Sequence, residues 1–343
     1  MELCKLGDVE EYLKEQVGKA IPGEECKIMM FQMAFSLFAA KEQLGLMHYD
    51  VKNLNFLLQD GNAGNEEGSH SSVCLEYSLG DDVYGVNMER SRAVILKLAD
   101  YGTSDMKAKP QESTIGLGNF TTLENSPPEF MILGERCKQG HDHDNFGLGL
   151  CMFHLFSGNA PYEEILEDVK CGPSLKSELS RIWEDERDEN FGVIRSLINA
   201  EVYDEGDEKD FTLHDTLYRF IVLFGRPKNF GGKEAQKVFQ AIDRGLEGDE
   251  EAFEEHSRLF NLDRGINYIV AAAREKLESV PGAMRVLKGL VRFDPQCRIN
   301  PYAVLTSEMM KGMRKSVNES QESQEVLVKR YTHFKGYVSG KVY

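Results

Sequence analysis

Two short segments carry polar residues whose types and spacing could do chemistry. Residues 48–55 read H-x-D-x-K-x-x-N directly before the apolar run 56–58, and residues 100–102 read D-Y-G after another apolar run. Transfer of a phosphoryl group needs a carboxylate near the attacking hydroxyl and cations on the phosphates. Carboxylate and amide oxygens are also the ligands that a hard cation such as Mg²⁺ prefers. The residue types in these two segments meet both needs.

Each segment alone also has an ordinary structural interpretation. Asp and Gly are common turn residues, so an isolated D-Y-G is more often a turn than a metal site. A single His48 is more often a core histidine with satisfied hydrogen bonds. The joint arrangement favours the functional interpretation, because residue types at frequencies of about one in twenty produce H-x-D-x-K-x-x-N by chance in well under one percent of chains this long.

The two segments resemble the catalytic loop and the metal-binding loop of eukaryotic protein kinases. Later segments follow in the order of that family. Residues 127–129 (P-P-E) resemble its A-P-E element, residues 144–149 (D-N-F-G-L-G) its D-x-W-S-x-G helix start, and residues 290–299 its late helix-and-loop element. Tyr49 is a departure, since many family members have Arg there.

The resemblance implies catalytic roles for three residues. Asp50 would be the base beside the attacking hydroxyl, and Lys52 would place a cation next to the transferring phosphoryl group. Thr122, seven residues before Glu129, stands where Ser/Thr-specific members carry a threonine that contacts both. The implied activity is transfer of the ATP γ-phosphoryl group to Ser or Thr of a protein substrate.

The resemblance also implies two cofactors, ATP and Mg²⁺. The corresponding contacts are Asn55 and Asp100 for Mg²⁺, and Glu2, Cys4, Asp8, Leu57, Asn55 and Asp100 for the bound nucleotide. In this interpretation residues 2–7 are the hinge that hydrogen-bonds adenine, Asp8 reaches the ribose or a basic substrate residue, and Leu57 is an apolar floor. Helix capping by Asp8 and core packing by Leu57 are the alternatives.

Further residues have implied structural roles. These are His48, Tyr101, Gly102, Glu129, Asp144 and Arg298. Tyr101 keeps the aromatic packing of the family's usual Phe. Arg298 would form a buried ion pair with Glu129, because a buried carboxylate without a partner is costly.

The chain pattern predicts the elements that must position these residues. Asp8 is expected to cap a first helix, and apolar residues at three- and four-residue intervals predict a second helix over 24–45, ending at Gly45. Residues 56–58 and 93–99 are predicted strands, and a hairpin around 73–86 would lie in a surface insertion between them. The apolar stretch 143–158 predicts a central helix.

The expected fold class is mainly α within the α+β family. It is a protein-kinase-like C-terminal lobe over 1–310, helical, with a few short β-strands in the catalytic and metal-binding loops. Insertions are expected at about 59–92 and 163–275, and 311–343 is a polar tail. The N-terminal lobe is expected to be absent, because the resemblance starts at the hinge and no G-x-G-x-x-G or V-A-I-K segment occurs.

Composition limits the partners. The net charge of -17 disfavours a nucleic-acid surface, which needs clustered Lys and Arg. Seven scattered Cys predict reduced thiols rather than a disulfide framework. No targeting or transmembrane segment is visible, so we expect a cytoplasmic protein, with the nucleus as an alternative, that binds ATP and a protein substrate or partner.

Three hypotheses remain from the sequence. The first is the large lobe of a Ser/Thr protein kinase, supported by the full set Asp50, Lys52, Asn55 and Asp100. The second is a noncatalytic kinase-like scaffold, or a truncated kinase, that binds a protein partner. The third, a small-molecule kinase with a related lobe, is disfavoured by Glu129 and Arg298, which belong to the protein-substrate architecture.

Overall fold

The architecture comes from a computed structural model. It describes residues 4–16, 21–61, 72–106, 111–112, 127, 138–166, 219, 223, 264–292, 295–315, 326–334 and 337–341. Its α-helices are α1 (Val9–Glu15), α2 (Gly23–Leu44), α3 (His141–Ser157), α4 (Arg264–Ser279), α5 (Ala283–Leu290) and α6 (Pro301–Leu305). Its strands are β1 (Phe56–Asp60), β2 (Ser72–Leu79), β3 (Asp82–Glu89), β4 (Val94–Leu98), β5 (Gln111–Glu112), β6 (Lys138–Gln139), β7 (Val326–Phe334) and β8 (Tyr337–Lys341).

Helix α2 is the apolar centre of the fold. Most of its side chains are buried, including Met29, Met30 and Phe31, because other elements surround it on several sides. The helix ends at Gly45, whose φ of 61° is the left-handed conformation that glycine adopts without a Cβ clash. The predicted helix over 24–45 is therefore confirmed, and it leads directly into the segment that starts at His48.

Strands β1 and β4 form an antiparallel pair that carries the two predicted reactive segments at one end. Phe56 lies opposite Leu98 and Asp60 opposite Val94. At the other end the Gly61 amide donates to the Ala93 carbonyl at 2.7 Å, which closes the base of the segment between the strands. Both predicted strands are confirmed.

Strands β2 and β3 form the predicted hairpin, which is confirmed with Leu79 opposite Asp82 at its turn. The hairpin does not lie only at the surface. Tyr77 is buried and its ring packs edge-on against Phe31 and Phe35 of α2, with centroid distances of 5.2 and 4.8 Å. The hairpin therefore covers α2 and belongs to the core.

The hairpin is part of a four-stranded sheet with the order β3-β2-β7-β8. Strand β7 runs parallel to β2, and β8 returns antiparallel to β7. The sequence predicts only a polar tail over 311–343, because Ser, Gln and Glu dominate its first half; the strand-forming run at 326–334 was the missed signal. In the structure this tail supplies half of the strands of the sheet.

Helix α3 confirms the predicted central helix and packs against α2, α4 and α5. Helix α4 falls within the end of the predicted insertion 163–275. Its Val270 and Ala273 are buried in the core, so this helix packs one face against the rest of the fold. Among the described residues, no helix has the length and apolar character needed to cross a membrane.

Candidate active site

Asp50, Lys52 and Asn55 lie together in the segment between α2 and β1. The Lys52 ammonium lies 3.0 Å from a carboxylate oxygen of Asp50. The Asn55 side-chain amide donates to the same oxygen at 2.9 Å and to the Asp50 carbonyl at 2.8 Å. The Asp50 carboxylate is thus held by one cation and one amide donor, while its side chain keeps 11% of its surface exposed. It is positioned and still accessible.

His48 connects this segment to the one that contains Asp100. Its Nε2 lies 2.9 Å from the Ala99 carbonyl, which can only accept, so Nε2 carries the proton. The ring is fully buried, and this burial lowers the pKa of His48. The predicted structural role of His48 is therefore to position the chain immediately before Asp100.

Asp100 sits in a sharp turn directly after β4. Its φ of 58° is left-handed, and its carboxylate accepts a hydrogen bond from the Gly102 amide at 3.3 Å. Tyr101 is 53% exposed, but its hydroxyl donates to the Leu98 carbonyl and its ring lies 5.5 Å from His48. Tyr101 and Gly102 thus shape the turn, and Asp100 remains exposed.

Asn55 and Asp100 occupy the same end of the β1–β4 pair. Asn55 directly precedes β1, and the Ala99 amide donates to the Asn55 carbonyl at 2.9 Å. The Asn55 amide nitrogen faces Asp50, so its oxygen points away from that carboxylate. In the described part of the chain no group of three or more His, Cys, Asp and Glu could hold a metal. One amide and one carboxylate oxygen fit Mg²⁺, which keeps several waters and phosphate oxygens as ligands.

Asp144 holds the start of the segment 48–55 in place. Its carboxylate oxygens accept hydrogen bonds from the backbone amides of His48 and Tyr49, both at 2.7 Å. Burial raises the pKa of Asp144 to about 7, although the two amide donors oppose the rise. Tyr49 has a left-handed φ of 64°, an unfavourable conformation for a bulky residue. The two hydrogen bonds to Asp144 help to hold that conformation.

The buried His143, next to Asp144, makes the folding stability depend on pH. Burial, with a smaller contribution from the Arg298 charge, lowers the pKa of His143 to about 3. The unfolded chain takes up this proton near pH 6.5 and the folded chain does not, so stability is lost as pH falls. Between pH 6.5 and 5 we expect the wild type to lose about 2 kcal/mol relative to His143→Gln, measured by urea unfolding. Parallel pH profiles for the two proteins would contradict this.

The residues predicted as the hinge, 2–7, are only partly described. The Leu6 amide donates to the Leu58 carbonyl and the Leu58 amide donates to the Gly7 carbonyl, so this segment pairs with β1. Asp8 caps α1, because its carboxylate accepts from the Glu11 amide at 2.9 Å. Leu57 is half-buried beside Asp8, Cys4 is half-buried, and Glu2 lies outside the described residues.

The predicted ion pair of Arg298 with Glu129 stays a prediction. Arg298 is buried, donates to the carbonyls of Arg292 and Asp142 at 2.7 and 3.1 Å, and lies 4.9 Å from the Phe146 ring centroid. Glu129 and Thr122 lie outside the described residues. Arg298 thus already joins the start of α3 to the segment after α5.

Two features at the site are absent from the predictions. A small cleft, partly open to solvent, lies beside Lys52 and includes Glu10, Cys151 and His154 in its walls. Its residues come from separate segments, so no sequence pattern indicates it. Gln32 is the second feature, and its signal is a lone amide inside the apolar run of α2.

Comparison with known proteins adds a family assignment to this geometry. A family model described as protein kinase domain matches residues 1–310. No curated protein matches the chain. The matched residues contain the segment from His48 to Asn55, Asp100, Asp144 and Arg298.

Proposed function

Because the chain belongs to the protein kinase family, we propose that it transfers the γ-phosphoryl group of ATP to a Ser or Thr hydroxyl of a protein substrate. The observation that carries the proposal is the joint arrangement of Asp50, Lys52 and Asn55. The Lys52 ammonium at 3.0 Å and the Asn55 side-chain amide at 2.9 Å both contact the same carboxylate oxygen of Asp50, whose side chain is 11% exposed. Acidic, basic and amide groups at such distances support phosphoryl transfer by positioning and charge.

In the proposed reaction Asp50 accepts the proton of the attacking hydroxyl. Lys52 remains close enough to Asp50 to neutralise part of its charge and to face the transferring phosphoryl group. The presence of Lys52 favours Ser or Thr over Tyr as the acceptor. Thr122 is proposed as a further contact to both residues.

Asn55 and Asp100 are proposed to hold Mg²⁺ through one amide and one carboxylate oxygen. When bound, this ion would supply positive charge to the phosphate oxygens. The chain's own contribution is the β1–β4 pair, which keeps both residues at one end of a short ladder. His48 supports that geometry through Ala99.

The proposed adenine site uses the hinge backbone around Glu2 and Cys4, with Leu57 as the floor. The half-buried side chain of Leu57 next to the hinge supports this role. Asp8 has a competing function, because its carboxylate caps α1. Contact with a ribose would therefore use the carboxylate oxygen that does not accept from Glu11.

A noncatalytic scaffold that binds a protein partner is the second candidate function. The specific observation in its favour is that large apolar side chains near the site are exposed. Leu6, Leu54 and Tyr101 expose 47%, 46% and 53% of their surfaces. Apolar exposure of this kind favours contact with another protein surface.

Magnesium-dependent ATP binding tests the proposal directly. We expect calorimetry to detect ATP binding by the 343-residue chain in Mg²⁺, and expect Asp100→Ala to abolish the Mg²⁺-dependent part because a hard cation loses its carboxylate. Asp81→Ala, at an exposed hairpin turn, is the matched control and should bind as the wild type does. Absence of binding by the folded wild type would favour the scaffold.

A further inference from the structure

Gln32 is a buried amide whose side chain joins three elements. It is 2% exposed within the apolar α2. Its Nε2 donates to the Val94 carbonyl at 3.1 Å, and its Oε1 accepts from the Leu96 amide and the Tyr77 hydroxyl, both at 3.0 Å. One side chain therefore connects α2, strand β4 and the β2–β3 hairpin.

The two bonds to β4 lie on the edge that β1 does not use. Leu58 lies opposite Leu96, but its backbone amide and carbonyl are both bonded to hinge residues. The Leu58–Leu96 pair therefore exchanges no backbone hydrogen bond, and the Leu96 amide faces the other edge. There the Gln32 amide offers one donor and one acceptor, as a peptide group of a third strand would.

Strand β4 leads directly to the proposed metal ligand. Ala99, the next residue, donates to the Asn55 carbonyl and accepts from His48, and Asp100 follows it. A shift of β4 along its length would therefore move Asp100 relative to Asn55. The Gln32 amide is the side-chain contact that fixes this edge of β4 at Val94 and Leu96.

On its other side Gln32 meets a hairpin that the C-terminal part of the chain holds at both edges. Lys315 donates its backbone amide to the Val83 carbonyl at 2.8 Å and its ammonium group to Glu76 at 2.7 Å. Arg314 pairs with Asp82 at 2.5 Å. Strand β7 pairs with the free edge of β2. The position of Tyr77 therefore depends on the docking of the C-terminal segment.

We propose that Gln32 is a positioning residue that couples the position of the β2–β3 hairpin to the position of Asp100. Through this coupling, the hairpin and the C-terminal segment docked on it tune Mg²⁺-dependent nucleotide binding. The inference rests on the proposed function only for its effect on nucleotide. The coupling itself is a property of the hydrogen bonds of Gln32. It can be measured without nucleotide.

Two variants of the full chain remove the link at different points. Tyr77→Phe deletes only the hydroxyl and keeps the ring against α2, whereas Gln32→Met removes all three hydrogen bonds at similar volume. Val86→Ala is the control, because it creates a small cavity in the same hairpin and keeps the Gln32 contacts. Amide hydrogen exchange at Ala99 and calorimetric ATP binding, with Mg²⁺ and with EDTA, are the readouts.

We expect Gln32→Met to speed exchange at Ala99 more than Val86→Ala does, and to weaken ATP binding in Mg²⁺ about threefold to thirtyfold with binding in EDTA unchanged. Tyr77→Phe should shift both readouts in the same direction by less. Unchanged Ala99 exchange in Gln32→Met overturns the coupling, whether or not the wild type binds ATP. Faster exchange overturns the positioning role if ATP affinity falls equally in Mg²⁺ and in EDTA. The same holds if Val86→Ala loses as much ATP affinity as Gln32→Met. A wild type that binds no ATP counts against the proposed function alone.

Discussion

Replacing Asp50 by Asn is expected to slow phosphoryl transfer by about 100- to 10,000-fold, the range that a positioned base contributes. The substituted amide keeps the volume of the carboxylate and one oxygen that can accept from Asn55, so the local fold should persist. What it lacks is the capacity to take a proton from the attacking hydroxyl. Single-turnover phosphorylation of a Ser-containing protein in Mg²⁺ and ATP measures the effect.

The Asp50 experiment has an internal check on binding. Asn55 and Asp100 are unchanged in Asp50→Asn, so its Mg²⁺-dependent ATP affinity should stay within about threefold of the wild type. Asp81→Ala again serves as the exposed control and should retain full activity. A wild-type rate in Asp50→Asn would show that another group takes the proton and would remove Asp50 from the proposed mechanism.

Replacing Asp144 by Ala is expected to cost about 2–6 kcal/mol of folding stability. Two buried backbone amides, those of His48 and Tyr49, would lose their acceptors, and each unsatisfied buried donor costs about 1–3 kcal/mol. Urea unfolding measures the loss. Because Tyr49 has a left-handed backbone, the catalytic segment should also relax, and exchange at the His48 amide should become faster than the global stability loss explains.

Asp142→Ala is the matched control for this prediction. Asp142 lies in the same first turn of α3. The substitution retains its backbone carbonyl, which accepts from Arg298 at 3.1 Å, and removes a carboxylate that accepts from the Asn145 side-chain amide at 3.5 Å. Asp142→Ala should lose clearly less folding stability than Asp144→Ala. Equal losses in the two variants would mean that the two amide bonds contribute little and that helix α3 is simply sensitive to any change in its first turn.

The clustering of Asp50, Lys52 and Asn55 was predictable because its information is local. Asp50, Lys52 and Asn55 lie within six residues, and short chain distance fixes their mutual geometry once the segment enters a strand. Helix α2 was equally predictable, since the three- and four-residue spacing of its apolar residues and the glycine at its end both depend on residues close in sequence. The family resemblance, which the match to residues 1–310 supports, rests on these same local segments.

Contacts between distant segments were not predictable from the pattern. The hairpin looks polar in sequence, yet Tyr77 is buried because α2 offers Phe31 and Phe35 opposite it. Strand β7 pairs with β2, more than two hundred residues earlier in the chain. Its Val, Tyr, Thr and Phe residues are typical of a strand, but nothing local to them indicates β2 as the partner. The hydrogen bonds of Gln32 were likewise not predictable, because its partners in β4 and the hairpin lie far from it in sequence.

The hydrogen bond from the Gly61 amide to the Ala93 carbonyl closes a long loop between β1 and β4, and closing such a loop affects the order of folding. Asp60 and Val94 are 34 positions apart, whereas only a two-residue turn separates the paired residues Leu79 and Asp82 of the hairpin. The entropic cost of closing a loop grows with its length, so the hairpin should form early and shorten the gap that β1 and β4 must close. A segment with no residue in the proposed chemistry would thus act as the nucleus that brings the two reactive turns together during synthesis of the chain.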